Sequence, residues 1–133
     1  MRLLLDTQIF IRFAVDPTAL HDEARRLITD AANSPCLSHI SLFEIAIKQK
    51  IGKLPSFNIA TQPMIELAEA HRFTILPVTA SHIAAYDRIP LLPHHRDPFD
   101  RLLLATALAE GMPILSADAH FPEYAPLVTV IPG

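Results

Sequence analysis

Arg2-Leu3-Leu4-Leu5-Asp6-Thr7 is the stretch whose reading decides the fold. The run before Asp6 is too short and too evenly apolar for a helix, which would need a longer periodic pattern, so it is expected to be a buried strand. A central parallel strand, covered on both faces, has this look. From Thr7 the spacing of Ile9, Phe10, Phe13 and Ala14 becomes helical until Asp16-Pro17 breaks it.

Working outward, strands and helices alternate. Leu20 to Ala32 reads as an amphipathic helix that forms a hairpin with the first, and Cys36 to Ser38 as a short strand. The next helix is expected to be capped near Ser41, with Glu44 three residues later as in a capping box, and to end at Gly52. Ile59 to His71 reads as a helix, Phe73 to Val78 as a strand and Ala80 to Arg88 as a short helix, followed by a Pro-rich loop over Ile89 to Arg96. Asp97-Pro98-Phe99-Asp100 opens the most apolar helix, which Gly111 closes. Pro113 to Ser116 and Leu127 to Ile131 are the remaining expected strands. This order is that of a layered α/β domain with a mainly parallel central sheet flanked by helices, and 133 residues, half of them hydrophobic, suit one domain over 1–133.

Composition narrows the function classes. Cys36 is the only cysteine, so no internal disulfide can form and a reducing cytoplasm is the expected home. No apolar run is long enough to cross a bilayer, and the three leucines after Arg2 are too few for a secretory core. Three glycines, Gly52, Gly111 and Gly133, leave no phosphate-cradling loop, which disfavours an NTPase or a dinucleotide enzyme. No nucleophile elbow is present, and none of the seven histidines pairs with Cys36 at a zinc-like spacing.

Four acids stand out by position. Asp6 and Asp118 follow expected strands, while Glu44 and Asp100 fall in the expected first turns of helices. In an open α/β sheet all four then lie at the carboxyl ends of the strands, where such folds build their sites. Each has an ordinary alternative: Asp6 as a helix cap, Glu44 as a capping-box member or the partner of Lys48, Asp97 and Asp100 as a cap and its third-position companion, Asp118 as a turn initiator. Four independent caps need not share one edge. Two carboxylates about 6 Å apart repel by roughly 3 kcal/mol at an effective dielectric of about 20, so four together call for a divalent cation. All-oxygen ligands favour Mg²⁺ or Mn²⁺.

The segments Leu3-Leu4-Leu5-Asp6-Thr7, Ser41-Leu42-Phe43-Glu44-Ile45, His95-Arg96-Asp97-Pro98-Phe99-Asp100-Arg101-Leu102-Leu103 and Leu115-Ser116-Ala117-Asp118 resemble, in that order, the signature of PIN-domain ribonucleases, and among them VapC-type toxins of toxin-antitoxin pairs. The resemblance implies a PIN-like three-layer fold and a metal-dependent endoribonuclease in which Asp6, Glu44, Asp100 and Asp118 surround one or two Mg²⁺ or Mn²⁺ ions. It implies that Thr7 and Ser116 support the cluster, with Asp97 fitting a helix cap better than a ligand. It also implies a cognate antitoxin and a homodimer as partners. Arg12, Lys48, Lys50, Lys53, Arg96 and Arg101 are the candidate phosphate contacts by chain position; His94 and His95 could add protonatable donors, although an adjacent pair in a Pro-rich loop is more often just exposed. The apolar set Phe10, Phe13, Leu20, Leu27 and Ile28 is either core or a partner-binding face.

The net charge of −3 does not oppose an RNA substrate, because setting aside the four acids leaves ten acids against eleven bases. Two other classes compete: a non-catalytic PIN-like module that holds a metal or a protein, and a phospho-acceptor signalling domain. The latter normally needs two adjacent acids after the first strand and a late lysine, but Thr7 follows Asp6 and no lysine lies beyond Lys53.

Overall fold

The computed structural model describes residues 1–133. Five strands, β1 (Arg2–Leu5), β2 (Ser34–Ser38), β3 (Thr74–Leu76), β4 (Ile114–Ser116) and β5 (Val130–Pro132), form one sheet in the order β3-β2-β1-β4-β5. Every pairing is parallel. Six helices connect them: α1 (Thr7–Val15), α2 (Asp22–Thr29), α3 (His39–Lys50), α4 (Thr61–Ala70), α5 (Ala80–Ala85) and α6 (Pro98–Glu110).

The leucine run of β1 explains the layering. Leu3 and Leu5 pack with α1, α2, α3 and α4 through residues such as Phe10, Ile28, Ile45 and Met64. Leu4 points the other way and packs with Leu103, Leu104, Ile114, Phe121 and Tyr124. All three leucines have no solvent exposure, and each such burial is worth about 1.5–3 kcal/mol. Alternate side chains of one strand thus serve two separate cores, and the chain needs helices on both faces to cover them.

Several expected boundaries move. The helix expected over Leu20 to Ala32 forms only over Asp22–Thr29. A 3₁₀ turn at Pro17–Ala19 leads into it from α1. Phe10, Leu20, Leu27 and Ile28 are buried and Phe13 packs against the same cluster, so this set is core and not a partner-binding face. Helix α3 begins at His39, capped by Ser38, whose hydroxyl accepts from the Ile40 N–H. Glu44 therefore sits in the second turn and is not a capping-box residue; Ser38 wins over Ser41 because β2 pairs with β3 as far as Ser38 and the helix starts directly from its end. Gly111, in the left-handed region with φ of 64°, closes α6 as expected.

The sheet places the site. Chain order runs outward from β1 to β2 and β3, then returns to the other side of β1 for β4 and β5. The reversal leaves a crevice beyond the carboxyl ends of β1 and β4, the position where open parallel sheets bind ligands.

Candidate active site: an acidic cleft at the sheet reversal

Asp6 follows β1 directly and caps α1, with its Oδ1 accepting from the Thr7 N–H at 2.8 Å. Its other oxygen accepts from the Ser116 hydroxyl at 2.8 Å, and the Ser116 oxygen in turn accepts from the Asp118 N–H at 3.0 Å. One serine at the end of β4 thus ties two acids from neighbouring strands together. Thr7 donates its hydroxyl to Ser41 at 2.9 Å, which joins α1 to α3 beneath the cleft. Thr7 and Ser116, the two residues expected to support the cluster, are thus bonded to its neighbours or to the acids themselves.

Asp6, Thr7, Gln8, Arg12, Glu44, Lys48, Asp97, Asp100, Ala117 and Asp118 line one cleft of about 280 Å³. All four singled-out acids are therefore brought to one place. Glu44 is 6% exposed; one oxygen meets Lys48 Nζ at 2.8 Å, and the other, Oε1, is buried with no hydrogen-bond partner. A buried polar atom left without a partner is costly. A carboxylate oxygen in that state, on a residue that lines a cleft with three other acids, has the coordination capacity of a cation ligand.

The electrostatics agree. Burial raises the Asp6 carboxyl to about 6, against the lowering effect of its bonds from Ser116 and Thr7, and Glu44 and Asp118 push it further up. Asp100 is raised to about 8, first by burial and then by the charges of Asp6, Asp97, Glu44 and Asp118. In the metal-free protein Asp100 holds its proton at neutral pH. A divalent cation would displace that proton and neutralise the cluster, and oxygen donors of this kind suit a hard ion.

His95, considered from the sequence as a donor or an exposed loop residue, has a place that the sequence did not foresee. It is not exposed: its ring is buried, bonded through Nδ1 to the Tyr124 hydroxyl at 2.6 Å and through Nε2 to Asp100 Oδ2 at 3.2 Å. Ligand atoms of His95, Asp100 and Asp118 lie within 4.8 Å of one another. Burial lowers the His95 pKa, so the neutral ring is favoured. Its contact with Oδ2 orients Asp100. The sequence signals were its place at the head of the segment that carries the resemblance and five residues before that acid.

Asp97 caps α6, accepting from the N–H groups of Phe99 and Asp100, as its position before Pro98 suggested. Of the basic candidates, Arg12 and Lys48 line the cleft. Lys50, Lys53 and Arg96 are exposed outside its lining. Arg101 is corrected outright: it is 2% exposed, and its guanidinium donates to the Ile89 and Pro90 carbonyls and the Tyr86 hydroxyl, with no donor facing the cleft. Its task is to pin the Pro-rich loop that carries His95. Arg101→Lys, which cannot reproduce the fork of donors, should leave at least one buried acceptor unpaired and cost about 1–3 kcal/mol in urea unfolding; an unchanged midpoint would refute that role.

The profile of the PIN domain matches residues 3–127 of this chain. No curated protein sequence matches it. Among solved structures, the chain is similar to VapBC2 of Rickettsia felis bound to a promoter DNA fragment, at 17% identity and a TM-score of 0.68, covering 99% of this chain and 98% of the other. It is also similar to VapBC-5 of Mycobacterium tuberculosis, at 18% identity and a TM-score of 0.66, with 98% and 96% covered. DNA-bound VapBC of Salmonella typhimurium gives 16% identity, a TM-score of 0.63 and coverage of 99% and 98%.

Proposed function

The chain belongs to the PIN-domain family, and from that membership we propose that it is a metal-dependent endoribonuclease, the toxin of a toxin-antitoxin module. The observation that carries the reading is the buried, unpartnered Oε1 of Glu44 in a cleft shared with Asp6, Asp100 and Asp118. A scaffold would have no use for an acid held in that condition. The likeness to VapBC complexes supports an antitoxin as the protein partner. A homodimer and a place in the reducing cytoplasm belong to the same reading.

Asp6, Glu44, Asp100 and Asp118 would hold the ion, with Asp6 and Asp118 as its central ligands. When bound, Mg²⁺ or Mn²⁺ supplies Lewis-acid polarisation of the scissile phosphate and a water of lowered pKa. The protein's own part is positional. Ser116 and the Thr7 N–H fix both oxygens of Asp6, His95 fixes Asp100, and Lys48 fixes one oxygen of Glu44 while leaving the other to the ion or the attacking water. Arg12 and Lys48 at the wall of the cleft offer cations to the phosphates on either side of the cut. Sequence choice is left to RNA shape, since nine aromatics and no Trp supply few stacking platforms.

The test is cleavage of labelled RNA and DNA of the same sequence with Mn²⁺, with chelator, and by the Glu44→Gln protein. Cutting of RNA that chelator abolishes and Glu44→Gln lowers by about 100-fold or more is expected, because loss of even an indirect metal partner costs 10–100-fold. Chelator-resistant cutting, or none under any condition from folded protein, would overturn the reading.

A further inference from the structure

Outside the acidic cleft, two loops bring together a second set of donors. His94 comes from the Pro-rich loop, and His120 and Glu123 from the turn after β4. His94 Nε2 lies 3.0 Å and His120 Nδ1 lies 2.9 Å from the same atom, Glu123 Oε2. The two imidazole rings sit 4.9 Å apart, and the three ligand atoms all fall within 4.8 Å of one another. Each side chain is about half exposed, so an ion can reach them from solvent.

We propose that His94, His120 and Glu123 form a binding site for Zn²⁺, distinct from the carboxylate cleft. Two imidazoles and one carboxylate are a tetrahedral zinc set with a fourth position open to water. In such a site the metal-ligand distances are about 2.0–2.2 Å, which puts neighbouring donors roughly 3.3 Å apart. The observed separations of 2.9 and 3.0 Å from Glu123 Oε2 are within a few tenths of an ångström of that edge. Imidazole donors separate this site from the oxygen-rich cleft, since Mg²⁺ prefers oxygen and water ligands.

The site also has a consequence for its neighbour. The His120 N–H donates to Asp118 Oδ1 at 2.7 Å, and His94 adjoins His95, which holds Asp100. Zinc bridging the two loops would therefore fix the backbone that holds Asp118 and that carries His95, the partner of Asp100. The proposal does not depend on the chain being a nuclease.

The experiment titrates chelator-stripped full-length protein with Co²⁺, then displaces it with Zn²⁺, in a large excess of Mg²⁺. It uses the wild type, Asp100→Asn, which disables the nearby set of His95, Asp100 and Asp118, and His94→Ala in each background. One equivalent of Co²⁺ with the visible absorption of a four-coordinate ion is expected in wild type and in Asp100→Asn. Zn²⁺ should displace it and raise the melting temperature. His94→Ala should weaken binding at least 10-fold and abolish the Zn²⁺-dependent rise. Far-UV circular dichroism checks each variant, and Glu123→Gln replaces His94→Ala if the latter fails to fold. Absence of binding, binding unchanged by His94→Ala, or a signal lost in folded Asp100→Asn would each overturn the proposal.

Discussion

Asp6→Asn protein will lose metal-dependent cleavage by about 100-fold or more and, in the presence of chelator at pH 7.5, will melt no lower than wild type. The opposed signs follow from one cause. Asp6 is 5% exposed and its carboxyl is raised to about 6, so at this pH the buried charge is a cost to the metal-free fold. Asparagine removes the charge while keeping the shape. Its oxygen can still accept from the Thr7 N–H and still caps α1, for which Asn is as good as Asp. The Ser116 oxygen has two lone pairs and can accept from the new amide as well as from the Asp118 N–H. The contact is kept, but the Ser116 hydroxyl proton loses its carboxylate acceptor, a cost of about 1–3 kcal/mol set against the buried charge that is removed, while the cap is unchanged. A wild-type rate would remove Asp6 from the metal ligands. A fall of several degrees in the chelator-treated melt would mean that the aspartate is there for structure.

Metal-free protein will lose stability as pH rises from about 6.5 to 8, and Mn²⁺ will restore it. Asp100 titrates near 8 in the fold against 3.8 for the free group, so the folded chain holds a proton that the unfolded chain has already released. Where the native state binds more protons, stability falls with rising pH, and each unit of the window is worth at most about 1.36 kcal/mol per group. The stability from this group is fully present below about 3.8 and lost as pH passes 8. Asp6 adds the same sign up to about 6, while burial of His95, whose pKa is lowered from 6.5, acts in the opposite sense below that value. Between about 6.5 and 8 only the Asp100 effect remains. At the proposed site, saturating Mn²⁺ would hold the carboxylates as anions and neutralise their repulsion. Thermal melts at pH 6.5, 7.25 and 8, with chelator and with Mn²⁺, should therefore diverge by a widening gap. Parallel curves would show that Asp100 does not face the ion.

Residues that act through local pattern were legible without coordinates. The leucines of β1 announced a strand buried on both faces, Asp97-Pro98 announced the start of α6, and Gly111 its end, because caps and apolar runs depend on neighbours in sequence. Asp6 and Asp118 were legible for a related reason: in a parallel sheet every strand ends at the same edge, so a residue just past a strand inherits a place near the others; Glu44 and Asp100 reach the same edge from within α3 and α6.

What the sequence could not decide is set by partners far along the chain. Ser38 and Ser41 are equally good caps, and only the pairing of β2 with β3 chose between them. His95 and Arg101 look like solvent-facing residues, yet Tyr124 buries the first and the carbonyls of Ile89 and Pro90 hold the second. The meeting of His94 with His120 and Glu123 has no spacing to betray it, since two loops must fold against each other before the donors face the same point. Backbone order and the edge of the sheet are consequences of local free energy along the chain; which polar side chains are buried, paired or left open is a consequence of packing between distant segments.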